Sequence, residues 1–239
     1  MEKKMKKLIW FLWLIPLYAN AADYDYSLWN DILKNNVEQI GHESKVSYDK
    51  INFQKLDSFL NKTKSVSKKD FKLWPRQKQM AFLINEYNAA TVYLIVKNKT
   101  KIESIKDIGW LFHSPWDIDF INLFGEETNL NNIEGRIRKY GDPRIHFAIN
   151  CASIGCPALS SKAYIESELN SQLDYSAKNF LEDKTRNRLE GHILYLSKIF
   201  KWYSEDFKNI KSFIRKYNKS ISDFTDIEYL GYDWNLNKR

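Results

Sequence analysis

Apolar residues recur every three to four positions along most of this chain and alternate with polar ones in only a few short runs, so helices should dominate and strands should be brief. Leu28, Ile32 and Leu33 in YSLWNDILKNNVEQI mark a first helix, and FQKLDSFLNKT reads as a second. A basic surface linker, KSVSKKDFK, follows. Pro75 suits the first turn of the strongest helix, RQKQMAFLINEYNAATVYLIVKN, in which Met80, Leu83, Ile84, Tyr87, Thr91, Leu94 and Ile95 form one stripe predicted to lie in the core. Asn85 and Asn88 sit at i and i+3 beside that stripe.

The second half alternates more. WDIDFINLFGEETNL, with Gly125 near its centre, predicts a hairpin, and Asn129 or Asn131 can cap a short helix, NNIEGRIRKY, that Gly141 closes. RIHFAIN predicts a strand with Ile145, Phe147 and Ile149 facing the core and His146, Ala148 and Asn150 facing the other way. SKAYIESELNSQLDYSAKNFLED reads as an amphipathic helix, HILYLS as a strand, Ser197 as a cap for KIFKWYSEDF, and DIEYLGYDWNLN as a last strand. Helices and strands mix without a βαβ rhythm, which predicts an α+β fold, helices around a small and mostly antiparallel sheet.

The first residues change the picture of where the protein works. MEKKMKKLIWFLWLIPLYANAA has an early lysine cluster, an apolar run of 11 residues from Leu8 to Tyr18, and an A-x-A pattern at Ala19 and Ala21. That run falls short of the ~20 residues a bilayer-spanning helix needs. Residues 1–21 therefore read as a signal peptide, 22–44 as an N-terminal helical extension and 45–239 as a single domain, exported to a periplasm or secreted, with no membrane insertion after cleavage. Losing residues 1–21 removes four Lys and one Glu from 37 basic and 30 acidic residues, leaving 33 against 29, a mild +4. No basic stripe with interleaved aromatics tracks along the chain, so a nucleic acid is not an expected partner.

Chemistry concentrates in RIHFAINCASIGCP, where the two cysteines of the chain, Cys151 and Cys156, stand five residues apart. In an oxidising compartment a bridge between them is chemically accessible, although so short a loop contributes less than the ~3 kcal/mol of a 15-residue one. The alternative is a reactive thiol: Cys151 as nucleophile, His146 as its base, Glu134 as the orienting carboxylate. Only the thiolate attacks, so such a group needs help to ionise. A continuous strand would place His146 and Cys151 about 16 Å apart at ~3.3 Å per residue and on opposite faces, so this reading requires a sharp turn near Asn150. The spacing H-x4-C-x4-C lacks the paired cysteines of structural zinc sites, and no metal or other cofactor is expected. Arg144 reads either as a binding residue or as half of an ion pair with Glu134 or Asp142. Trp202, Tyr203, Glu205 and Asp206 have the composition of a sugar-binding patch, but a core aromatic with a helix-cap contact is the plainer role. Asp233 and Trp234 read as a packing clasp between tail and body.

AFLINEYNAATVYLI around Asn85, Tyr87 and Asn88, the pair Ile133 and Glu134, DPRIHFAINCASIGCP, LSKIFKWYSEDF and the ending YDWNLN together resemble the domain-of-unknown-function 547 family, over roughly residues 45–236. The resemblance implies a site without implying a reaction. Plant relatives carry this domain beside a leucine-zipper region and other members are fused to glutaredoxin-like domains, which points to protein partners and to thiols. A helix followed by a histidine strand also suggests a distant papain-like or transglutaminase-like analogy, in which the helix start would supply the cysteine. The expected pocket gathers Asn85 and Asn88, Glu134, and Arg144, His146, Asn150 and Cys151. It fits thiol-dependent acyl or amide hydrolysis or transfer on a small-molecule or peptide-like substrate; a non-catalytic binding module, or a redox or disulfide protein with a thiol partner, remains the alternative.

The leader yields a direct prediction: intact-mass analysis of protein recovered from an exporting cell should find the chain beginning at Ala22, whereas a product that retains residues 1–21 would contradict cleavage.

Overall fold

The computed structural model describes residues 24–99, 102–109, 114–221 and 224–239; the expected signal peptide lies outside them. The fold is α+β, and its central element is the predicted long helix, α4 (Arg76–Asn98), with Pro75 at its N-cap. Every residue from Met80 to Val92 is buried. The stripe expected from the sequence is in the core, but the opposite face is too, because α2 (Phe53–Lys64) and α5 (Leu130–Arg138) both pack against it. A helix covered all round belongs at the centre of a domain rather than on its surface.

Ahead of it, α1 (Ser27–Asn36) buries Trp29, Ile32 and Leu33, and a hairpin follows, β1 (Val37–Ile40) with β2 (Glu43–Val46). The N-terminal extension is thus a helix plus a hairpin, and its side chains join the same core as α4. KSVSKKDFK is not a linker. Ser67 accepts from the Asp70 N–H, α3 (Lys68–Leu73) starts there, and Phe71 turns inward onto Trp74, Phe82 and Phe124. One buried aromatic and one good cap outweigh four charged neighbours.

The predicted hairpin is β3 (Ile121–Leu123) with β4 (Glu126–Thr128), turning at Phe124 and Gly125, both at positive φ. Asn129, rather than Asn131, caps α5 through the Asn132 N–H. RIHFAIN is the main departure: Pro143–Phe147 is a 3-10 helix, not a strand. Asp142 caps it through the Arg144 N–H and Pro143 occupies its first position, so a helix-start signal overrides the apolar alternation. Its tight winding sends Ile145 and Ile149 into the core around α4 and Phe147 into a second cluster with Phe180, Phe200 and Phe207. The strand on which the papain-like analogy rested is absent from this segment. The second cluster is enclosed by α6 (Leu169–Glu182), α8 (Ile210–Tyr217) and a sheet of β5 (Arg188–Glu190), β6 (Ile193–Leu196) and β7 (Asp226–Tyr229), in which β5 and β6 are antiparallel and β6 and β7 parallel. Between β6 and α8 lie α7 (Ile199–Trp202) and a 3-10 turn, Ser204–Phe207.

One core residue is out of place. Glu86 on α4 is 0% exposed, and neither carboxyl oxygen has a hydrogen-bond partner. Burial pushes its pKa from 4.5 up to about 8, and Thr63, whose hydroxyl is committed to the Leu60 carbonyl, offsets little of this. The native state therefore holds a proton that the unfolded chain releases above pH ~4.5, so stability should fall as pH rises from there to about 8 and level off beyond. Glu86→Gln should flatten that slope and raise the melting temperature more at pH 8 than at pH 5, by an amount reflecting a few kcal/mol at the alkaline end. Equal shifts at the two pH values, read by thermal denaturation, would refute it.

Candidate active site

The two asparagines of α4 tie loops to the helix. Asn88 donates to the Ala148 carbonyl at 2.9 Å and accepts from the Asn150 N–H at 2.8 Å; Asn85 does the same for Tyr164, at 2.7 and 3.0 Å. Each side-chain amide thus replaces a peptide partner for buried backbone. Asn150 continues the chain of contacts, donating to the Pro157 carbonyl and accepting from the Ala152 N–H. Fixed in this way, the backbone bends directly after Asn150. Ala152 adopts a left-handed φ of 62°, a costly conformation for a residue with a Cβ, and Ser153–Cys156 closes a turn through the Cys156 N–H and the Ser153 carbonyl.

The C-terminal tail lies across this turn. Gly155 N–H donates to Asp233 O and Ile154 N–H to Asn235 O, both at 2.8 Å, and Ser153 bridges to Leu236. A Cβ on Gly155 would stand 3.0 Å from the Asp233 oxygen and from the Tyr232 ring, so the absence of a side chain is what permits so close an approach. The clasp expected of Asp233 and Trp234 is present, and it delivers a functional group: Tyr232 Oη lies 3.1 Å from the Cys151 sulfur. Ser153 Oγ is also 3.1 Å from that sulfur and 3.2 Å from Tyr232 Oη.

Cys151 is half-buried and unbridged, and it lines a cavity of about 180 Å³ together with His146, Glu134 and Cys156. Burial alone would push its thiol up; contacts from Cys156, the Ser153 hydroxyl and the Tyr232 hydroxyl outweigh that and bring it from 9.0 down to about 7. Cys156 is the opposite case. It is buried and free, burial and the neighbouring Cys151 push its thiol up, and its sulfur accepts from the Cys151 N–H at 2.8 Å. Burial also raises the Tyr232 phenol well above its ordinary value, so it remains a hydrogen-bond donor.

His146, 2% exposed, lines the same cavity without hydrogen-bonding to Cys151. Its Nε2 meets Asp206 Oδ2 at 2.7 Å, its ring stacks on Tyr203 with centroids 3.9 Å apart, and its Nδ1 is buried without a partner. Bonding to a carboxylate assigns the proton to Nε2 and leaves the Nδ1 lone pair free. Burial pushes this histidine from 6.5 down to about 4, against the pull of Asp206, so the ring is neutral at ordinary pH. Asp206 is held low by its two-point pair with Arg138.

The carboxylate that meets His146 is therefore Asp206, not Glu134. Glu134, 8% exposed, partners Tyr203 instead, and burial raises its pKa. Arg144 pairs with Asp142 and Asp174, away from the cavity. Asn85, Asn88 and Asn150 are buried structural ties outside the cavity lining. Asp206 and Tyr232 stand in conspicuous motifs, LSKIFKWYSEDF and YDWNLN, but their partners lie 60 and 81 residues away in sequence, a separation that no local spacing reveals. Trp202 is likewise no core aromatic; it is 45% exposed at the cavity.

The family model described as "Protein of unknown function, DUF547" matches residues 71–181. The matched segment, from α3 into α6, belongs to this family. No characterised protein and no solved structure is significantly similar to it. The DUF547 match contains α4, α5, His146 and both cysteines, whereas Asp206 and Tyr232, which touch the histidine and the thiol, come from beyond it.

If the Tyr232 hydroxyl helps hold the thiolate, Tyr232→Phe should move the pH midpoint of Cys151 alkylation by iodoacetamide upward from about 7 and slow labelling at neutral pH, with the fold intact by circular dichroism. An unchanged midpoint would rule the hydroxyl out.

Proposed function

We propose that Cys151 is the nucleophile of thiol-dependent acyl or amide chemistry on a small or peptide-like substrate. The observation that carries the reading is a half-buried thiol with a lowered pKa, held by two hydroxyls, in one cavity with a neutral histidine whose Nδ1 is unpaired. At neutral pH about half of such a thiol is thiolate without any imidazole partner. In the proposed step the Cys151 sulfur adds to the substrate carbonyl carbon, the bond to the leaving amine or alcohol breaks, and that group departs with a proton from the Tyr232 and Ser153 hydroxyl network, which solvent re-protonates. His146 then takes a proton at Nδ1 from the water or amine that attacks the thioester, the C–S bond breaks and returns Cys151 as thiolate, and the imidazolium, stabilised meanwhile by Asp206, gives its proton to solvent. With the pull of Asp206 included, a base whose pKa lies near 4 is weak, and it takes the proton only as the attacking group becomes acidic on bonding to carbon. The expected leader places this chemistry in a periplasm or outside the cell.

A second reading draws on the 2.8 Å bond from the Cys151 N–H to Cys156 Sγ, which brings that sulfur to the Cys151 backbone: a reversible bridge between the two cysteines, exchanged with a thiol-redox partner.

Both readings meet in one experiment. Reduced protein treated with a panel of activated acyl donors should gain one acyl group on Cys151 by mass spectrometry, Cys151→Ser should gain none, and Asp206→Asn should form the adduct but clear it roughly a hundredfold more slowly. Labelling of Cys151 no faster than a model thiol would sink the nucleophile. A loss of two hydrogens in untreated exported protein, restored by reductant and abolished equally by either serine variant, would favour the bridge.

A further inference from the structure

The cavity that holds Cys151 has an unusual wall. Trp116, Trp202, Tyr232 and Trp234 all line it and pack on one another, with centroid separations of 4.6 Å for Tyr232 and Trp234, 4.8 Å for Trp202 and Tyr232, and 5.7 Å for Trp234 with both Trp116 and Trp202. Trp202 leaves 45% of its surface to solvent at the opening, an expensive arrangement for a large ring unless something covers it. The rings come from three separate stretches of chain, so the tail must be docked before the wall exists.

Its electrostatics run against those of the molecule. The chain carries a net +7, yet no lysine or arginine lines this cavity among the described residues. Glu134 does, and so does Asn131, whose amide donates to Asp117 Oδ1 at 2.6 Å, a second carboxylate held by a lining residue. A carboxylate or phosphate on a ligand would enter without a counter-charge and face Glu134. A cation would meet the negative faces of the rings together with that carboxylate. The wall already takes one cation from outside: Lys106 Nζ stands 3.8 Å from the centroid of Trp234. At about 180 Å³ the cavity is smaller than the ~300 Å³ lower end of drug-sized sites, so it suits one compact group rather than a whole large ligand.

We infer that this cavity recognises an alkylated or primary ammonium group, the cationic end of the substrate, through the Trp116, Trp202, Tyr232 and Trp234 wall and the Glu134 carboxylate. The inference rests on the reading that the Cys151 cavity is the working site and adds the class of substrate that it takes. Lys106 weakens the field at the outer ring and sets an upper bound on the affinity; Arg138 is spent on Asp206.

The test is a tryptophan-fluorescence titration of the reduced full-length protein with choline, set against 3,3-dimethylbutan-1-ol, which has the same shape without the charge. Choline should bind roughly tenfold tighter, the ratio equivalent to ~1.4 kcal/mol of cation recognition. Trp202→Ala, at an exposed ring, and Glu134→Gln, which keeps the side-chain shape, should each erase that preference. Cys151→Ser should keep it. Equal affinity for the two probes, or no saturable response to choline, overturns the inference. A protein that alkylates quickly at Cys151 but ignores choline would lose the ligand class and keep the nucleophile, whereas one that binds choline but has a sluggish thiol would do the reverse.

Discussion

The fold turns on the side-chain amide of Asn88. It lies in the wholly buried middle of α4, and it satisfies both a carbonyl and an N–H of the segment that leads into the cysteines. In so apolar a setting each of those groups would cost about 1–3 kcal/mol if left unpaired, so the chain gains by reaching the helix and bending there. The bend, the left-handed Ala152 and the turn at Ser153–Cys156 follow from that anchor, and with them the half-exposed position of Cys151.

What the anchor begins, the tail completes. Residues 232–237 run between the cysteine turn and the β1–β2 hairpin: Asn237 N–H meets Ala152 O, Val46 N–H meets Asn237 O, and Tyr48 Oη donates to the Asn237 side chain. The N-terminal hairpin thus backs the C-terminal tail where it crosses the cysteine turn, and the docked tail places Tyr232 on the sulfur. A cysteine in the same turn without that tail would lose a hydroxyl donor and gain solvent. The DUF547 segment holds the thiol, the histidine, Ser153 and Cys156, but neither Asp206 nor Tyr232.

Two kinds of titration are separated in space here. Hydrogen bonds lower the Cys151 thiol against the effect of burial, while burial without partners raises Glu86 in the core. The first makes a group reactive near neutrality and the second keeps one uncharged. Cys156, buried and pushed up beside Cys151, belongs with the second kind, which is why two cysteines five residues apart are chemically unlike.

Much of this was legible in the sequence. Periodicity located α4, α5, α6 and the β3–β4 hairpin, because 3.6-residue and two-residue repeats each report a local geometry. The same local rule misread RIHFAIN, where Asp142 and Pro143 start a helix whatever the apolar pattern says, and KSVSKKDFK, where one inward Phe71 defines a helix among lysines. The residue types of the site, a thiol and a histidine near a required bend at Asn150, could be picked out from chemistry alone. Their partners could not. Asp206 and Tyr232 are joined to them across 60 and 81 residues, and no periodicity carries information over such a span; only the packing of the second core and the docking of the tail decide which carboxylate meets the imidazole and which hydroxyl meets the sulfur.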